Sequence, residues 1–148
     1  MDFQDPSSKM SKSGAFPNGI IYLNDSDDAI MKKVKSAVTD SGQSVSLENP
    51  SAGLRNLAEV YAILSGKTVQ AILEENSGKM YGHFKVAVAE QIIQTIRPIR
   101  EKAESLLQER QELGKILREG ATKARAVAQR TLSEVYNATG LIQEKELS

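Results

Sequence analysis

From Tyr81 to Val135 the chain repeats apolar side chains at helical spacing, and this run constrains the fold more than any other feature. Phe84, Val88, Ile92, Ile96 and Ile99 are separated by three or four residues, which places them on one face of an α-helix. Leu113, Ile116, Leu117, Ala121, Ala124, Val127, Ala128, Leu132 and Val135 continue the pattern. Pro98 interrupts the first stretch. It lacks a backbone donor, so a kink or a break is expected near Arg97. Gly120 interrupts the second and predicts a bend or a close helix–helix contact. Asn137 to Gly140 should end this helix, and the polar tail from Gln143 to Ser148 should fray.

Shorter helical signals precede this run. Asn24, Asp25 and Ser26 are capping types, and Asp27 and Asp28 suit a first turn because they oppose the helix dipole. Ile30, Met31, Val34, Ala37 and Val38 supply the apolar face. Thr39 to Pro50 is polar and reads as a surface loop. Ser51 opens a second helix with Leu54, Leu57, Ala58, Tyr61, Ile63 and Leu64 as its apolar set, closed at Ser65-Gly66. Thr68 caps a third with Val69, Ile72 and Leu73, stopped by Asn76-Ser77-Gly78. Residues 1–19 hold turn formers without periodicity and read as flexible loop. Ile20 to Leu23 is one short strand or an extended link. Aromatics make up only 5% of the chain and Trp is absent, so the core must be aliphatic, which suits packed helices. The expected fold class is all-α: a helical bundle preceded by a flexible loop and at most one short strand.

Several functions are excluded by composition. The chain has no cysteine, so disulfides and thiolate metal sites are out. A single histidine, His83, rules out a multi-histidine metal site; no metal site is expected. His83 reads as structural or exposed, and Tyr61, Tyr81 and Phe84 as core rather than base-stacking platforms. No apolar run approaches the ~18 residues of a membrane span. Met1-Asp2-Phe3 does not resemble the start of a secretory signal. The expected compartment is the cytoplasm, with no membrane partner. Formal net charge is zero, so gross charge argues neither for nor against nucleic acid.

The chemistry lies at the start of the chain. Lys9-Met10-Ser11-Lys12-Ser13 puts two ammonium groups and two hydroxyls within five residues, with Gly14, Pro17, Asn18 and Gly19 behind them. Such a loop can hold a polyphosphate. The plainer reading is a disordered basic N-terminus. Together with Asp5-Pro6, this stretch resembles the signature loop of the class I aminoacyl-tRNA synthetases. Met31 to Asp40, Asn56-Leu57, Tyr81 to Lys85, Ile96 to Arg100, Gly120 to Arg125, Ala128, Thr131-Leu132 and Gly140-Leu141 are similar, in order and spacing, to the C-terminal part of the bacterial tryptophanyl branch. The tyrosyl branch usually has a different loop sequence. The resemblance runs nearly the whole chain. It departs in one large respect: the His-Ile-Gly-His-like motif, the tryptophan pocket and the adenine site of the family have no counterpart here, and His83 is followed by Phe84.

The resemblance implies an ATP-dependent ligase that charges tRNA with tryptophan, with ATP and Mg2+ as substrate and nothing bound structurally. Lys9, Met10, Ser11, Lys12 and Ser13 would contact ATP. Lys12 would stabilise charge developing on the leaving pyrophosphate, with Lys9 assisting and Ser11 donating. Residues 1–24 would be the loop and link of the catalytic domain, and residues 25–148 an anticodon-binding-type helical domain. Partners implied are the anticodon arm of tryptophan tRNA, reading CCA, the missing N-terminal catalytic half, and a second subunit of a homodimer; DNA is not implied. The isolated chain would not catalyse. Between Arg97 and Arg130 nine basic residues face five acidic ones, a surface suited to phosphate, with Arg97, Arg100, Arg110, Arg118, Lys123 and Arg125 as candidates. An ordinary solvated face with Glu/Arg pairs is the plainer alternative. A stand-alone RNA-binding module and a helical scaffold or interaction protein also remain open.

Overall fold

The computed structural model describes residues 1–14 and 16–141. Among the described residues there are five helices: α1 Asp27–Lys35, α2 Ala52–Ser65, α3 Val69–Asn76, α4 Tyr81–Gln108 and α5 Arg110–Thr139. A 3-10 turn covers Pro17–Gly19. Among the described residues β pairing amounts to one isolated bridge between Ser44 and Met80, so the all-α expectation holds. The chain packs as two compact units, one from Met1 to Lys102 and one beginning at Ala103.

The first unit owns the core. Ile30 and Val34 of α1, Leu54 and Leu57 of α2, Ile72 of α3 and Phe84 and Val88 of α4 are fully buried. Each such side chain contributes about 1.5–3 kcal/mol through removal from water. The three short helices start where capping chemistry places them. Ser26, Ser51 and Thr68 hydroxyls accept from the N–H groups of Ala29, Leu54 and Ala71 at 3.2, 3.3 and 3.2 Å. α2 ends at Gly66, whose φ of 70° is left-handed and cheap only for glycine.

Four expectations change. α1 stops at Lys35 rather than carrying Ala37 and Val38, because the Val38 N–H is taken by the Phe3 carbonyl at 2.7 Å. Ile63 leaves the apolar set: it lies off the stripe of Leu54, Leu57, Ala58 and Tyr61 and is 80% exposed. The segment from Thr39 to Pro50 is not wholly a surface loop, since Val45 is buried and exchanges hydrogen bonds with Lys79 and Gly78 at 2.9 and 3.0 Å. Residues 1–19 are not uniformly loose, since Phe3 is a core residue.

α4 runs through Pro98 without a break. α5 runs through Gly120, where an added Cβ would meet nothing within 4 Å, so no close helix contact requires the glycine. No residue of α5 is buried; Leu117, Val127, Leu132 and Val135 are at least half exposed. The tail from Gln143 to Ser148 lies outside the described residues. No helix among those described is long and apolar enough to cross a membrane.

Candidate functional site

The signature loop leaves the helical body through a neck built from residues 1–3. Among the described residues no strand pairs with these three, yet each of their backbone N–H and C=O groups has a partner. The Met1 nitrogen donates to Asn56 Oδ1 at 2.9 Å, and Asn56 Nδ2 donates to the Met1 and Asp2 carbonyls at 3.2 and 3.1 Å. The Asp2 N–H donates to Ser8 O at 2.8 Å and the Phe3 N–H to Gly19 O at 2.9 Å, while Phe3 O accepts from Val38. Buried backbone groups left unpaired are costly, so this accounting explains why the segment is held. Gln4 adds a bond from Nε2 to Ser36 O at 2.9 Å.

Gly19 closes the neck. A Cβ there would lie 2.0 Å from Asp2 Oδ1, so only glycine lets the two ends of the loop meet. Asp2 is itself buried and accepts from the Gln4 and Asp5 N–H groups at 2.7 and 3.2 Å. The next turn is folded by Asp5, which accepts from the Ser7 and Ser8 hydroxyls at 2.6 and 2.7 Å. Those bonds, Ser7 first, hold its carboxyl below the usual carboxylate range.

Beyond this turn the loop opens to solvent. Lys9, Lys12 and Ser13 are exposed, and Ser11 is half-buried. Met10 packs against the core, and so roots the five-residue motif at one point. The Ser11 and Ser13 hydroxyls lie 3.2 Å apart, and the Gly14 N–H donates to Ser11 O at 2.8 Å. Among the described residues neither Lys9 nor Lys12 forms a salt bridge. Two free ammonium groups beside two hydroxyls can follow a diffuse, multiply charged anion as it moves.

The outgoing link is pinned as well. Ile20 is buried. The Tyr22 N–H donates to Asp25 Oδ2 at 2.9 Å, and Lys33 Nζ bonds the same oxygen at 2.6 Å while lying 4.8 Å from the Tyr22 ring centroid. Arg100 donates to the Asp25 carbonyl and to Asp27 Oδ1, the latter at 2.7 Å. Arg97 grips Asp27 Oδ2 through Nε at 3.1 Å and Nη2 at 2.5 Å. Arg100, then Arg97, hold the Asp27 carboxyl below its ordinary value. Of the six basic candidates, these two are thus engaged within the molecule, at the start of α1.

The other four lie on α5 and are exposed. At 100° per residue, Arg110, Arg118 and Arg125 fall within roughly 80° of one another over about 22 Å, while Lys123 lies roughly 160° from Arg125. The structure therefore brings three together and leaves Lys123 apart. α5 carries six basic side chains against three acidic ones, and Arg130 pairs with Glu134 at 3.5 Å.

A further polar knot escaped sequence reasoning. Asp40 accepts from the Tyr81 hydroxyl at 2.8 Å and the Gly42 N–H at 2.7 Å. The Ser51 hydroxyl, then Tyr81, draw its carboxyl below the usual range, while burial and Asp40 push the Tyr81 phenol up to about 12. Lys85 Nζ donates to Ala37 O at 2.8 Å, and burial draws its pKa down. Tyr81 and Phe84 are buried and Tyr61 packs on Phe84 at 6.4 Å between centroids, as expected of core aromatics; His83 is exposed. Asn56 was legible as part of the Asn56-Leu57 pair that carries the resemblance, but its hydrogen bonds to residues 1 and 2 were not.

Residues 1–97 match the sequence profile of the class I tRNA synthetases (W and Y). The chain is 41% identical to tryptophan–tRNA ligase 2 of Streptomyces avermitilis over 97% of its own length and 43% of that protein's. It is 43% identical to the tryptophan–tRNA ligase of Wolinella succinogenes over 96% of itself and 43% of the relative. The chain thus spans less than half the length of these curated relatives. The crystal structure of tryptophanyl-tRNA synthetase from Mycoplasma pneumoniae superposes with a TM-score of 0.74 at 29% identity, covering 97% of this chain and 46% of that one. The Campylobacter jejuni enzyme, complexed with ADP and tryptophan, gives 0.65 at 32% identity, covering 95% of this chain and 44% of that one.

Proposed function

From the premise that this chain belongs to the class I tRNA synthetases of the W and Y type, we propose that it supplies the signature loop and the tRNA-facing helical part of a tryptophan–tRNA ligase. The observation that carries the reading is the pairing of two exposed, unpaired lysines with a neck hydrogen-bonded to the helical body.

In the reaction so assigned, the carboxylate of tryptophan attacks the α-phosphate of ATP and pyrophosphate leaves. Negative charge grows on the leaving group. Lys12, assisted by Lys9, with Ser11 and Ser13 as donors and Met10 rooting the motif, stabilises that charge more in the transition state than in the bound substrate. The exposed tip lets the loop close on ATP and reopen. Mg2+ enters with ATP as part of the substrate. A catalytic half carrying the tryptophan and adenine pockets is required as partner, with a homodimer as the assembly and the cytoplasm as the setting. Functionally the boundary falls after residue 24, between loop and helical domain; the packing boundary after Lys102 is a separate division.

On the RNA side, Arg110, Arg118 and Arg125 form one phosphate-facing row, and the anticodon arm of tryptophan tRNA is the assigned partner. Lys123 contributes charge from another face. Arg97 and Arg100 contribute through Asp27 instead.

The test of the loop is Lys12→Ala in a full-length ligase carrying these residues. The single-turnover rate of adenylate formation should fall by about two or more orders of magnitude, with tryptophan KM little changed. An unchanged rate removes Lys12 from the mechanism. For the RNA row, a CCA anticodon stem–loop should bind this chain in a salt-dependent way, and Arg118→Ala should lower the log–log salt slope by about 0.7. Equal binding to a scrambled anticodon would leave only non-specific attraction.

A further inference from the structure

The loop's neck shows an unusual division of labour. In a sheet, an extended segment is held by the backbone of its neighbour. Here the side chain of Asn56, on α2, does that work for residues 1 and 2: one amide accepts from the Met1 nitrogen and donates to two successive carbonyls. A primary amide has both acceptor and donors on one planar group, so it reads a stretch of backbone in both directions. Asn56 is 4% exposed and sits between the core residues Leu54 and Leu57, in a helix interior where asparagine has poor intrinsic propensity. Nothing in α2 needs an amide at that place. Its three bonds all go to the neck.

Building on the ligase reading above, we propose that Asn56 is a positioning residue for the activation reaction: it fixes the neck on α2 and so sets where Lys9 and Lys12 stand. The path is short. Asn56 holds Met1 and Asp2, Asp2 is seated against Gly19 and holds Ser8 through its N–H, and Lys9 is the next residue. Loss of the amide frees two carbonyls and the Met1 nitrogen, and the neck keeps only the Phe3–Val38 and Gln4–Ser36 bonds to the helical body. The lysines keep their chemistry and lose their address. Misplacement of a charge-stabilising group lowers the rate of the chemical step without touching the amino-acid pocket.

The experiment takes Asn56→Ala and Asn56→Asp in a full-length tryptophan–tRNA ligase carrying these residues, with Lys12→Ala as control. Asn56→Asp keeps size and acceptor and removes the donor to the two carbonyls. Both should lower the single-turnover activation rate about tenfold or more, with tryptophan KM within about twofold. Amide exchange should quicken at Phe3 and Val38 and stay slow at Ile72 and Leu73 of α3. A wild-type rate in either folded variant, with Lys12→Ala impaired, overturns the role of Asn56 and leaves the ligase reading standing. No effect of Lys12→Ala sinks the ligase reading itself. Loss of protection at Ile72 equal to that at Phe3, or unfolding of both variants, also overturns the proposal, since Asn56 would then hold the fold and not the loop.

Discussion

The apolar faces of α4 and α5 read alike as sequence and behave differently as structure. Phe84, Val88 and Ile92 of α4 are buried among α1, α2 and α3, whereas Leu117, Val127, Leu132 and Val135 of α5 meet solvent. Periodicity says which side of a helix is apolar; it does not say that anything covers it. In the unit from Met1 to Lys102, buried side chains of α1, α2, α3 and α4 belong to one hydrophobic cluster. The stability of α5 rests on propensity, on its αL cap at Gly140 and on pairs such as Arg130–Glu134. Side-chain truncation should therefore act on the two regions in different ways.

The sharpest break of this comparison is a truncation pair. Leu57→Ala removes a fully buried side chain and should cost about 2–5 kcal/mol in denaturant unfolding. Val127→Ala, at 73% exposure, should stay within about 0.5 kcal/mol. Equal effects would mean that α5 is covered in solution.

Backbone space gives the next contrast. A Cβ on Gly53 would lie 2.0 Å from the Val38 carbonyl oxygen, so Gly53→Ala must push backbone apart and should destabilise by about 1–3 kcal/mol. A Cβ on Gly120 meets open space, so Gly120→Ala should stabilise α5 by about 0.5–1 kcal/mol through helix propensity. Circular dichroism melts of the two variants should move in opposite directions.

Titration separates the regions more gently. Asp27 and Asp40 have depressed folded-state pKa values, through Arg100 and Arg97 and through Ser51 and Tyr81 respectively. Their stabilisation is present above the ordinary value of 3.8 and is lost as pH falls below it through the folded values. Tyr81 works in the other direction. Its pKa is raised from 10.0 to about 12, so its contribution is full below 10.0 and disappears as pH rises through 12. Asp27→Asn should flatten the acid limb of stability in the first unit and leave the helicity of α5 unchanged. An acid limb that survives the substitution unaltered would deny the Arg97–Arg100 clamp its electrostatic role.

The extent to which the sequence was legible follows from which forces are local. Ser26, Ser51 and Thr68 announce their helices because capping is decided within three residues. The resemblance carried by Lys9 to Ser13 gave the loop, since its chemistry is contiguous. The anchor was hidden because its parts are 55 residues apart: the Met1 nitrogen and Asn56 meet only when α2 packs. Phe3 read as loop for the same reason, a single aromatic without a periodic neighbour. Arg97 and Arg100 read as phosphate ligands because a sequence displays charge and not its partner, and the partner, Asp27, is about 70 residues upstream. The end of α1 could not be read from α1 alone, since the Val38 N–H, three residues past Lys35, goes to the distant Phe3 carbonyl.

A pinned neck carries an open, cationic loop tip. Amide hydrogen exchange on the unmodified chain tests it most directly. The Phe3 and Val38 amides should be protected to a degree comparable with Ile72 in α3, while the Lys12 amide should exchange nearly as fast as an unstructured peptide. Exchange at Phe3 as fast as at Lys12 would contradict it, because the loop would then hang from a free end and Asn56 would hold nothing.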